Sequence, residues 1–304
     1  MDESIDEIKQ QNKKTKNRLY NLFLVFSLII IFIYFFLSAP FENKNQIIHI
    51  SNGQSISSIS LDLKNKNVIR NSFVLKVFIK LLKTGNGVVS GDYFISKNSP
   101  VYIIAWQLAR GHHNVESIKV TIREGLNNEQ IAILLESKLA GFKKDIFLSS
   151  VKDKQGYLFP DTYFFFPLDT TKEIIDKLSD NFEIKIKNIK LSIEKKGKSL
   201  SDIVIMASIL EGEASGREDI KIISGILWKR ISLGMPLQVD VDKSTYNIKG
   251  LPLEPLNNPG LVSIEASISP ESSKYLYYLH DKDGKVHYAV TFDEHKRNIS
   301  KYLK

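Results

Sequence analysis

Two glutamates, Glu211 and Glu213, close an apolar run, Ile203-Val204-Ile205-Met206-Ala207-Ser208-Ile209-Leu210. Carboxylates at the end of so apolar a segment are out of place on composition grounds, because ionised side chains are rarely buried. That position suits proton transfer. Desolvation disfavours a charged carboxylate, and so do the partial negative charge of a helix C-terminus and a second carboxylate close by. A carboxyl that keeps its proton near neutral pH can hand it to a leaving group. At about 100° per residue the two side chains point roughly 200° apart, so only one needs to face a cleft. Glu213 continues the face of Ile209 and Leu210, and Glu211 that of Ala207 and Ser208. The competing reading is that both are simply solvated at a helix end.

The next polar group is Gln238, Asp240, Asp242 and Tyr246. Asp240-x-Asp242-x-Ser244 opens like a calcium loop, but the sixth position is Thr245 instead of glycine and the twelfth is Leu251 instead of glutamate. No metal site is predicted there or elsewhere. The adjacent His112 and His113 read as a solvated loop. His280, His287 and His295 fall in a terminal segment predicted to be rich in strand, without helical i, i+4 spacing. The chain has no cysteine, which excludes disulfides, thiolate catalysis and Cys-ligated metal. No cofactor is expected.

The elements that must hold these residues follow from periodicity. Ile203 to Leu210 is apolar almost all round, the mark of a helix buried on several sides. Ser215 to Glu218 has capping-box spacing, and Ile220, Ile223, Leu227 and Ile231 form one stripe of a second helix stopped by Gly234. Lys172 to Lys196 reads as an amphipathic, solvated helical region. The aromatic run Tyr163 to Phe166 fits a buried strand or a carbohydrate platform, with core the favoured reading. Ile118 to Arg123 alternates like a strand, and Asn127 or Asn128 caps a helix carrying Ile131, Leu134 and Leu135. Ahead of these, residues 47–117 give strand, helix, helix, strand, helix. Their segments are Ile47–Ile50, a helix capped by Ser55, Phe73–Leu82, a strand after Gly91, and Val101–Leu108.

Leu19 to Ala39 is 21 residues without a charge, enough to span a bilayer as a helix. Lys9, Lys13, Lys14, Lys16 and Arg18 precede it and few cations follow closely, which places the N-terminus in the cytoplasm and the rest of the chain outside. A cleaved signal peptide would have a shorter apolar core, and Pro40 sits badly after a cleavage site at Ser38-Ala39. The 304-residue chain carries a net charge of +8. The tail, residues 1–18, has five cations and four anions, so the exported part keeps +7. Outside the cytoplasm that charge points to anionic lipid or cell wall, and nucleic acid is not expected as a partner.

Several strings, in order, resemble the endolytic murein transglycosylase, or YceG-like, family. They are REGL at Arg123, GYLFPDTY at Gly156, MASILEGEA at Met206, GMPLQ-x-D at Gly234, TYNIKGLP at Thr245, NPG at Asn258 and the closing YLYYL…H…F…H…N. The resemblance runs over roughly residues 47–304. It implies an α+β chain with a cytoplasmic tail at 1–18, a transmembrane helix at 19–39, a small LysM-like α+β subdomain at 46–117 and a mixed α/β YceG-like catalytic domain at 118–304. It implies Glu213 as the catalytic acid and base, Glu211 in support, and Gln238, Asp240 and Tyr246 along a glycan cleft. The implied reaction is non-hydrolytic cleavage of the MurNAc–GlcNAc bond of nascent peptidoglycan with 1,6-anhydromuramyl ends, which terminates strand elongation. One carboxyl can serve as acid and then base, although Asp240 or Asp242 could instead activate water. Penicillin-binding synthases are the implied partners, at the cell (inner) membrane.

The sequence also departs from the family. Asp240 reaches Tyr246 in six residues, a shorter span than family members often carry, and Ser244 replaces the usual Asn before Thr-Tyr. A catalytically weak, membrane-anchored protein that binds peptidoglycan or recruits synthases is the alternative reading.

Overall fold

All but the last two residues of the apolar run lie in one continuous helix, α1 (Asp2–Leu37), in the computed structural model, which describes residues 2–40, 43–82, 87–213 and 219–303. Lys16–Phe35 is the one stretch among the described residues long and apolar enough to cross a membrane, and none of it is buried by protein. The helix stops two residues short of the predicted Ala39. The chain divides into two compact units, Met1–Glu116 and Ser117–Lys304.

In the first unit α1 is followed by β1 (Gln46–Ile50), α2 (Ile56–Asn65), α3 (Ser72–Leu81), β2 (Gly91–Ile95) and α4 (Val101–Arg110). This is the order the periodicity predicts. Strands β1 and β2 pair antiparallel, from Gln46 opposite Ile95 to Ile50 opposite Gly91. Ser55 caps α2 by accepting the Ser58 N–H at 3.1 Å, one of the orphan donors of a first helical turn. Ile48, Ile50, Ile59, Leu63, Leu75, Ile79, Tyr93 and Ile104 form the core, and Leu37 at the end of α1 packs against it. Arg70 donates Nε and Nη2 to the Ala39 carbonyl at 3.2 and 2.9 Å, and its guanidinium lies 4.4 Å from the Phe35 ring centre.

The second unit continues with β3 (Ile118–Thr121), α5 (Asn128–Lys138), α6 (Lys144–Ser150), β4 (Thr162–Phe165), α7 (Thr171–Ile186), α8 (Lys190–Lys195), α9 (Leu200–Glu213), α10 (Ile220–Ser232), α11 (Leu261–Ile268), β5 (Tyr277–His280), β6 (Val286–Ala289) and α12 (Phe292–Tyr302). Every strand pair among the described residues is an antiparallel two-stranded ribbon, so helices supply most of the core. Asn127 and Gln130 form a capping box on α5. The aromatic run divides by face: Tyr163 and Phe165 are buried, while Phe164 is 57% exposed. Burial pushes the Tyr163 phenol up to about 12, and the hydroxyl donates to the Phe159 carbonyl.

Helix α9 is the axis of this unit. Ile205, Met206, Ile209 and Leu210 pack with Ile223 and Leu227 of α10 and with Leu237 and Val239. Ile203, Val204 and Ala207 pack on the other side with Phe182, Ile186, Ile264 and Ile268. Just before α9, the Lys198 ammonium sits 3.5 Å from the Trp228 ring centre, and burial, reinforced by Lys196, lowers its pKa to about 8.

Two expectations change or go unaddressed. The terminal segment is a hairpin followed by a helix, and His295 lies on α12, not in a strand. The reason is a capping box, Thr291 with Glu294, which starts a helix where aromatic and histidine content suggested strand. The predicted Ser215–Glu218 capping box lies outside the described residues.

Candidate active site

The sequence ends α9 with Glu-Gly-Glu, and the helical turn sends the two carboxyls to different surroundings. Glu211 Oε2 accepts the Gly260 N–H at 2.9 Å and the Ser263 hydroxyl at 2.7 Å, both at the start of α11. Free N–H groups and partial positive charge at a helix start suit a carboxylate. Glu213 turns the other way. Its Oε2 accepts from the Tyr278 hydroxyl at 3.0 Å and its Oε1 from the Val241 N–H at 3.2 Å. Between them, a Cβ on Gly212 would lie 2.5 Å from Val241 Cγ1, so only glycine lets the 239–241 segment approach closely enough to reach Glu213.

Glu213 lines a cavity of about 500 Å³ together with Gln238, Asp240 and Tyr246. Structure therefore gathers these predicted residues in one place, while Glu211 faces α11 and does not line the cavity. The Tyr246 hydroxyl donates to Asp240 Oδ1 at 2.9 Å, and that bond, with lesser contributions from burial and the Asp240 charge, raises the phenol's pKa. Asp242 is occupied differently: it caps a 3-10 turn at Lys243–Tyr246, accepting the N–H and hydroxyl of Ser244. Of the two aspartates considered for activating water, only Asp240 lines the cavity.

Gln238 holds a left-handed backbone, φ 53°, a conformation that costs a residue with a Cβ about 1–2 kcal/mol. The surroundings enforce it. Its N–H donates to the Thr245 carbonyl at 3.2 Å, the next N–H, that of Val239, donates to the buried Thr245 hydroxyl at 3.0 Å, and its side-chain oxygen accepts from Arg230 Nη2. Arg230, 4% exposed in the last turn of α10, also donates to the carbonyls of Pro236 and Leu276. Burial lowers the guanidinium's pKa from its usual high value.

Tyr278 keeps some exposed ring, but its hydroxyl is enclosed. Burial first, then the Glu213 charge and hydrogen bond, raise its pKa well above 10, so it remains a donor to Glu213. The far wall comes from Tyr277, His280, Phe292 and His295. His280 Nε2 and His295 Nδ1 are buried without a hydrogen-bond partner. Burial and the Arg230 charge hold the His295 pKa below 6.5.

Elsewhere in the same unit, three of the sequence strings meet at one buried amide. Asn258 Oδ1 accepts the N–H groups of Gly156 and Leu158 at 2.9 and 3.0 Å. Its Nδ2 donates to the Leu126 carbonyl and to Asn128 Oδ1 at 2.9 and 3.0 Å. All four bonds an amide side chain can make are made. Gly156 takes φ +89°, and a Cβ there would lie 2.7 Å from both Pro255 and Val204, so the GYLFPDTY string fits by close approach.

Residue reasoning alone gave Arg230 and Tyr278 no role. Arg230 sits in a helical stripe that reads as solvated at its end, and Tyr278 in an aromatic run. A signal was available for the first: an arginine two turns past Ile223 and one turn past Leu227 has a buried neighbourhood. None was available for the second, because its partner is 65 residues away.

Comparison with known proteins adds to this geometry. The chain matches the profile of the YceG-like family over residues 48–242 and 244–301. A Bacillus subtilis protein named endolytic murein transglycosylase is 27% identical over 305 residues, covering 84% of each chain. A Streptococcus pneumoniae protein of the same name is 23% identical over 326 residues, covering 86% of this chain and 59% of its own length. The crystal structure of a yceG-like protein from Listeria monocytogenes superposes with a TM-score of 0.55 at 27% identity, covering 84% of this chain and 99% of that one.

Proposed function

Because this chain belongs to the YceG-like family, we propose that it is a membrane-anchored lytic transglycosylase that cuts peptidoglycan glycan strands, with Glu213 as acid and base. One observation carries the reading: the Glu213 carboxyl, at the end of a buried helix, is fixed by one donor on each oxygen at the wall of a cavity. Glu213 in its protonated form gives its proton to the oxygen between N-acetylmuramic acid and N-acetylglucosamine as the muramyl C1–O bond breaks. The carboxylate then takes the proton of the muramyl 6-hydroxyl, whose oxygen closes on C1. A 1,6-anhydro ring forms, the departing sugar keeps the first proton, and Glu213 is protonated again. No water is consumed.

Other residues have supporting parts. Tyr278 and the Val241 N–H hold the carboxyl in place through both transfers, a positioning effect. Tyr277 and Phe292 offer aromatic surface to sugar rings, and Gln238, Asp240 and Tyr246 form the opposite wall. Glu211 supports from α9, tying the end of that helix to the start of α11. The β1-α2-α3-β2 order supports reading the first unit as LysM-like and wall-binding. The apolar Lys16–Phe35 stretch with its preceding cations supports a single pass through the cell membrane, N-terminus in the cytoplasm and catalytic unit outside. Cutting nascent strands there would end their elongation beside penicillin-binding synthases.

Full-length protein in detergent, incubated with purified sacculi, is expected to release fragments with anhydromuramyl ends, and Glu213→Gln to release none. Reducing ends alone would make it a hydrolase with Asp240 activating water. Binding of sacculi by both proteins without release of fragments would leave an anchored wall-binding protein.

A further inference from the structure

Helix α3 buries only one of its faces. Leu75 and Ile79 enter the core of the first unit, whereas Phe73, Val77 and Leu81 are 68%, 37% and 68% exposed. Their four-residue spacing aligns them in one outward stripe. Lys76 and Lys80 lie alongside it on the helix. Single exposed apolar residues are ordinary on a soluble protein, but a continuous stripe with a basic flank is the pattern of a helix lying at a membrane surface.

The fold also says what lies nearby. Arg70, two residues before α3, is hydrogen-bonded to the Ala39 carbonyl and stacked on Phe35, the last residue of the apolar stretch. Leu37 packs on the same core that holds the buried face of α3. A bilayer around α1 would therefore surface beside the start of α3. At 1.5 Å per residue, α3 reaches only about 15 Å from that point. The headgroup zone is thus within reach of Phe73 first and Leu81 last.

We propose that α3 lies in the interface of the membrane that α1 spans, with Phe73, Val77 and Leu81 in the acyl boundary and Lys76 and Lys80 toward anionic headgroups. The partner is a lipid surface. The contact holds the first unit flat on the membrane at a fixed height, where α1 alone would leave it free to tilt. This rests on the reading of α1 as an anchor.

The absence of cysteine makes the test direct. Full-length Phe73→Cys, Val77→Cys and Leu81→Cys variants, each carrying an environment-sensitive fluorophore, are placed in nanodiscs of mixed zwitterionic and anionic lipid. Leu28→Cys in α1 and Leu61→Cys, 54% exposed on α2, serve as references. The stripe labels are expected to be quenched several-fold more by spin-labelled lipid, and several-fold less by iodide, than the label at 61. Purely zwitterionic discs should weaken the lipid quenching. Iodide quenching at 73, 77 and 81 equal to that at 61, with Leu28 still lipid-quenched, overturns the proposal. Protection from iodide without lipid quenching also overturns it, since a second copy would then cover the stripe. Iodide access at Leu28 shows that the anchor reading itself has failed, and the proposal falls with it.

Discussion

The polar cluster around Asn258 and the cavity beside Glu213 belong to the same unit and differ in how fully their polar atoms are paired. Asn258 makes every hydrogen bond its amide can make, to residues of two distant segments, and is fully buried. The cavity instead leaves His280 Nε2 and His295 Nδ1 without partners and keeps Asp240 exposed. Glu211 and Glu213, two residues apart, each accept two hydrogen bonds, yet one turns to the start of α11 and the other to the cavity. Saturated polar networks fix a fold, whereas polar atoms left open have a ligand or chemistry to meet.

This contrast predicts opposite responses to substitution. The largest effect belongs to the cavity: Glu213→Gln should lower strand cleavage by roughly 10²–10⁴-fold while the thermal midpoint barely moves, measured by fragment release and calorimetry. A comparable loss of stability would break the distinction. Next comes Asn258→Ala, which strands buried groups in two distant segments. It should cost about 2–3 kcal/mol or more in urea unfolding, with cleavage per folded molecule changed much less. Tyr278→Phe removes one donor from Glu213 and little volume. It should reduce kcat about tenfold and leave KM nearly unchanged, because the lost bond orients the reacting group and does not hold substrate.

The smallest effect concerns Lys198. Its folded pKa of about 8 lies below the usual 10.5, so the folded chain binds fewer protons than the unfolded one between those values. Stability should therefore rise as pH climbs from 8 to 10.5, the penalty being full below 8. Solvent screening at this partly exposed site limits the gain to less than ~1 kcal/mol. Lys198→Met should flatten that rise in thermal scans.

Much of this was legible in local pattern. The all-round apolar character of α9, the opposed directions of Glu211 and Glu213, the order of elements in the first unit and the long apolar helix all follow from spacing within a few turns. Gln238, Asp240 and Tyr246 could be grouped because they are neighbours in sequence. The polar cluster could not be read this way, since Asn258 meets residues 100 or more positions away and its side-chain pairing leaves no periodic trace. Arg230 escaped because a charged residue in a stripe looks solvated until its three carbonyl and amide acceptors are placed around it. α12 escaped because it buries no residue to leave an apolar stripe, and the Thr291–Glu294 capping box is its one local mark.

The bond from Tyr278 to Glu213 closes the site with a residue near the end of the chain. A chain anchored by α1 and exported in order beyond it would carry its glutamate outside well before the hairpin that orients it. Until β5 arrives, the carboxyl has no tyrosine donor and the cavity lacks the wall built by Tyr277, His280, Phe292 and His295. On the proposed topology and with Glu213 as the proposed acid, chain order would act as a safety catch: a half-delivered enzyme would have its blade out but no hand to steady it.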